Sequence, residues 1–82
     1  MGDFKDWLMD EVGLKNESAS DVESRLKRAG KFVDLCKEEE ADYFIFEMGQ
    51  NKEFKNLNRT VQSQLKRAIK LNVEYQQSKK KK

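Results

Sequence analysis

Apolar residues recur along this chain at intervals of three and four, the spacing that lines up side chains on one face of a helix. Phe4, Trp7, Leu8 and Val12 form the first such stripe, with Asp3 placed to cap it. Gly13 follows the last apolar position, where a left-handed residue closes many helices, and Leu14 then folds back as the accompanying hydrophobic contact. Residues 15–19 read as a short polar connection. Ser20 and Glu23 stand three apart as a capping box, so the second helix starts there, with Val22, Leu26, Ala29, Val33 and Cys36 inward. Arg25, Lys27, Arg28 and Lys31 lie outside that stripe. Gly30 marks a close helix contact or a tolerated loss of about 1 kcal/mol.

Glu38, Glu39 and Glu40 favour a helix start through the macrodipole and lead into Ala41, Tyr43, Phe44, Ile45, Phe46 and Met48. The aromatic and β-branched run from Tyr43 to Phe46 also suits a strand, but no second strand signal exists to pair with it. A third helix ending at Gly49 is therefore expected. Residues 50–58 read as a loop with at most one helical turn, Phe54 and Leu57 tucking onto the core. Asn58 or Thr60 caps a fourth helix with Val61, Leu65, Ala68, Ile69 and Val73 inward and Gln62, Lys66, Arg67, Lys70 and Glu74 outward. Fraying is expected from Gln76. The pattern gives an all-α fold of four helices, with residues 1–76 as one helical domain and 77–82 as a basic disordered tail.

The stretch Val22-x-Ser24-x-Leu26-Lys27-Arg28-Ala29-x-Lys31 recurs 39 residues later as Val61-x-Ser63-x-Leu65-Lys66-Arg67-Ala68-x-Lys70, with seven identities in ten positions. Either the first two and last two helices are similar hairpins, or two good amphipathic helices have converged on strong helix formers.

Composition bounds the function. The chain has 82 residues, enough for one domain, and no apolar run long enough to span a bilayer, so no membrane role is expected. A single cysteine suits a reducing compartment, and a cytoplasmic location is expected. The net charge of +2 hides an asymmetry: residues 1–47 carry 7 basic and 13 acidic side chains, residues 48–82 carry 10 basic and 2 acidic. The C-terminal half thus suits an anionic partner, with nucleic acid the commonest kind. Without its four terminal lysines the chain would carry −2.

Enzymatic chemistry is poorly served. With no histidine there is no imidazole proton shuttle or metal ligand and no Ser-His or Cys-His pair. Cys36 reads as a small core residue, and the isolated glycines cradle no phosphate. The acidic cluster at 38–42 reads as dipole complementation, since consecutive helical residues do not converge on one ion. No catalytic residue, metal, cofactor or small-molecule substrate is expected. Two surfaces remain as candidates. Arg59, Lys66, Arg67, Lys70, Lys79 and Lys80 could grip phosphates, helped by the matching basic residues of the second helix. Of Tyr43, Phe44 and Phe46, not all can face one core, so a protein contact or self-association is the second candidate.

The order Phe4-x-x-Trp7-Leu8, Gly13-Leu14, Ser20-x-Val22-x-x-x-Leu26-x-Arg28-x-x-x-Phe32, Ile45-x-x-Met48 and Asn58-Arg59-Thr60-Val61-x-x-x-Leu65-x-x-Ala68 resembles the N-terminal core-binding domain of phage integrases, the tyrosine recombinases. The resemblance implies a four-helix SAM-like orthogonal bundle that clamps DNA beside a separate catalytic domain, of which this chain carries nothing. It implies a non-catalytic DNA-binding accessory or regulatory protein of a phage or mobile element, with Arg59, Lys66, Arg67 and Lys70 facing DNA. The acidic first half departs from that pattern. The alternative is a protein-interaction module of the same fold that regulates a partner or self-associates.

Overall fold

The computed structural model describes residues 3–35 and 37–80, the side chains of Asp3 and Lys80 apart. The expected Asp3 cap and the Cys36 core position lie outside this part, as do Lys81 and Lys82. The described residues form helices α1 (Asp3–Trp7), α2 (Asn16–Ala29), α3 (Ala41–Gly49), α4 (Lys52–Lys55) and α5 (Arg59–Lys80), with no strand among them. The fold is all-α. The run from Tyr43 to Phe46 is helical, since no partner strand exists to satisfy its backbone.

α1 continues into a π-helical turn, Leu8–Val12, which ends at Gly13 in the left-handed region (φ 82°, ψ 22°). Gly13 N–H and Leu14 N–H both donate to the Leu8 carbonyl, whose two lone pairs close the helix end while Leu14 packs back onto the core.

α2 opens at Asn16, four residues before the expected capping box. Lys15 sits at its cap position in extended conformation and makes no side-chain cap bond. Burial explains the early start: Ala19 is enclosed by the cluster containing Leu8, Val22, Ala68 and Leu71, and its N–H bonds the Lys15 carbonyl at 2.9 Å. Ser20 and Glu23 therefore lie inside the helix. The far end also differs from expectation, because α2 stops at Ala29 instead of running to Cys36. After Gly30 the bonds tighten to Lys31 N–H on Arg28 and Phe32 N–H on Ala29, and Phe32 turns onto Phe54 with ring centroids 6.1 Å apart. A glycine at this point weakens the helix enough for that aromatic contact to draw the chain away.

The expected loop contains α4, capped by Asn51, whose Oδ1 accepts from Glu53 N–H at 2.8 Å and Phe54 N–H at 3.4 Å. Asn58 caps α5 in the same way, accepting from Val61 N–H at 2.9 Å. α5 then runs through Lys80, so residues 76–80, expected to fray, are helical. Tyr75 holds it: the buried ring lies 5.3 Å from Phe4 and 5.6 Å from Trp7, and Lys79 Nζ sits 5.2 Å above it.

Two apolar clusters make the core, and α5 supplies both. Leu65 and Ile69 join Ala29, Val33, Phe44, Met48 and Phe54, while Ala68 and Leu71 join Leu8, Ala19 and Val22. Both clusters also draw on α2, Ala19 and Val22 in one and Ala29 in the other, so α2 and α5 pack against each other. α1 packs on α2, and α3 packs on α5.

Candidate nucleic-acid interface

The turn before α5 is held by one side chain. Gln62 Nε2 donates to the carbonyls of Leu57 at 2.8 Å, Phe54 at 3.2 Å and Lys55 at 3.4 Å, which pins α4 against the first turn of α5. Arg59 is thereby fixed as the opening residue of a helix whose first turn carries no acidic side chain. An unopposed helix N-terminus favours anions, and Arg59 adds a full charge there.

Along α5, Arg59, Lys66 and Lys70 are separated by seven and four residues. At 3.6 residues per turn these positions fall within about 40° of one line and span about 16 Å. Arg67 lies about 60° round from Lys70, still on the solvent side. Arg59, Arg67 and Lys70 are exposed and Lys66 is half-buried; a lysine can bury its stem while its ammonium reaches water. Glu74, four residues beyond Lys70, ends the stripe with a negative charge. The structure does not bring Lys79 to it. Nine residues from Lys70, Lys79 projects on the opposite side of the helix and covers Tyr75. Lys80 is the last residue of α5.

A second basic group forms where α2 ends. Ser24, Lys27, Arg28, Lys31, Phe32, Glu53 and Leu57 line a depression of about 580 Å³. Phe32 and Leu57 supply its apolar lining, Lys27, Arg28 and Lys31 three cations and Glu53 one carboxylate. Lys52 and Lys55, exposed on α4, stand near this end of the molecule and were not among the residues singled out from sequence. Their signal was the Asn51 cap, which makes 52–55 a helical turn and sets both lysines beside Phe54.

On α3, Phe44 is 2% exposed and belongs to the core, so it is no surface contact; helical spacing turns it inward with Met48. Tyr43 and Phe46 face out, at 36% and 65% exposure. Asp42 and Glu47 are exposed beside them. The same end of α3 borders a wider depression of about 800 Å³ lined in part by Glu38, Glu39, Glu40 and Tyr43. Glu38, Glu39 and Glu40 thus line a different depression from Lys27, Arg28 and Lys31.

Among the described residues no group of three or more acidic, histidine or cysteine side chains could hold a metal ion. No described helix is long and apolar enough to cross a membrane. Compared with protein-family models, curated proteins and solved structures, the chain matches none.

Proposed function

We propose that this domain binds the backbone of duplex DNA along the outer side of α5, as a non-catalytic accessory or regulatory protein of a phage or mobile element working in the cytoplasm. The observation that carries the reading is the alignment of Arg59, Lys66 and Lys70, with Arg67 beside them, on a helix that begins with a cation. Such a row neutralises successive phosphates and fixes orientation on the duplex without reading bases. The resemblance to the core-binding domain of phage integrases points to the same helix.

Fluorescence anisotropy with duplex DNA across a salt series tests it. Four phosphate contacts give a slope of log affinity against log salt of about −3.6, and Lys66→Ala/Arg67→Ala/Lys70→Ala reduces that slope to about −0.9. Removal of residues 79–82 leaves most of the affinity. Binding that survives the triple substitution, or disappears with the four lysines alone, refutes the α5 interface. The outward Tyr43 and Phe46 favour a protein contact as well.

A further inference from the structure

Phe46 is the most exposed large apolar side chain among the described residues, and Tyr43 lies one helical turn before it. A ring left two-thirds in water beside a second aromatic marks a surface that gains by being covered. The charges around it define what covers it. Asp42 and Glu47 are exposed on either side, so the complementary surface carries an apolar hollow rimmed by cations. This chain has a hollow of that composition: the depression of about 580 Å³ lined by Phe32 and Leu57 together with Lys27, Arg28 and Lys31. Glu53 is the one acidic residue lining it.

The two surfaces adjoin. Phe32 lines the basic depression and also a smaller one of about 200 Å³ that includes Tyr43 and Glu47. Surfaces that neighbour one another on the same side can be paired twice by a single two-fold axis, giving a closed dimer, whereas surfaces on opposite ends would give open chains. We propose that two copies of this chain associate reciprocally, Phe46 of each entering the Lys27/Arg28/Lys31 depression of the other, with Asp42 and Glu47 meeting its cationic rim. Arg59, Lys66, Arg67 and Lys70 take no part in this contact. The inference does not rest on the DNA reading, and its test contains no nucleic acid.

Sedimentation equilibrium of the full chain over a concentration series gives the mass directly. The wild-type protein shifts from monomer to dimer as concentration rises, and added salt weakens the dimer. Phe46→Ala, an exposed change that leaves the fold intact by circular dichroism, weakens association at least tenfold. Lys27→Glu/Lys31→Glu alone is monomeric because two acidic surfaces then face each other, and Asp42→Lys/Glu47→Lys alone is monomeric for the opposite reason. An equimolar mixture of the two double variants regains a dimer, since each acidic surface now finds a basic one. A wild-type mass that stays monomeric up to about 1 mM, the weak end of measurable association, overturns the proposal. So does a mixture that fails to dimerise, or a mass that climbs past the dimer into open chains.

Discussion

Residues 22–31 and 61–70 share seven of ten side chains, yet the first runs off the end of a helix and the second lies in the first half of one. Their alanines behave alike: Ala29 and Ala68 are both buried. Their leucines do not, because Leu65 is fully enclosed while Leu26 is half-buried. The ninth position separates them. Gly30 follows the last residue of α2 and brings no side chain to the core, whereas Ile69 fills the core at the same place and α5 continues for another eleven residues. The outer cations follow suit. Lys27, Arg28 and Lys31 surround a hollow at a helix end, while Lys66, Arg67 and Lys70 stand along a continuous rod. One residue at a shared position thus turns the same basic sequence into two different surfaces.

The largest effect comes from giving α5 the residue that ends α2. Ile69→Gly removes a fully buried side chain and weakens the helix, costing about 4–5 kcal/mol, a large part of the total stability of a chain this size. Urea denaturation followed by circular dichroism measures it. Truncating the paired leucines sharpens the contrast: Leu65→Ala costs about 3–4 kcal/mol and Leu26→Ala about half as much, because the cavity forms only at the enclosed site. The same denaturation series compares them, and equal losses would mean that the two segments are packed alike.

Smaller effects lie at the helix starts and stops. Asn58→Ala removes the α5 cap at a cost of about 1 kcal/mol, while Lys15→Asn gives α2 the cap it lacks and gains a comparable amount. Smallest is Gly30→Ala. With φ at −62° the backbone suits alanine, but the new Cβ stands 3.3 Å from the Lys27 carbonyl, a tight contact, so any gain stays below about 0.5 kcal/mol. A thermal midpoint resolves each of these changes.

Local signals were readable wherever the stabilising partner was close in sequence. Gly13 with Leu14 and the Asn58 cap depend on groups within a few residues, the inward stripe of α5 follows helical period, and each stands where spacing places it. The misplaced boundaries depend on distant partners. Ala19 starts α2 early because Leu8, Ala68 and Leu71 enclose it, and the capping box at Ser20 could not reveal that. Phe32 leaves the helix for Phe54, and α5 persists past Gln76 because Tyr75 meets Phe4 and Trp7. The candidate surfaces divide in the same way. The line through Arg59, Lys66 and Lys70 follows from helical period alone, but the basic hollow needs α2 and the residues around α4 brought together by the fold.

Both apolar clusters draw on α5, which has a consequence for how the chain acquires its structure during synthesis. The first fifty-odd residues can bury Leu8 against Ala19, or Phe44 against Met48, only in part, since Leu65, Ala68, Ile69 and Leu71 close both clusters. Neither half has a core of its own. A nascent chain therefore stays open until α5 has left the ribosome, and the two clusters then form together in one cooperative step.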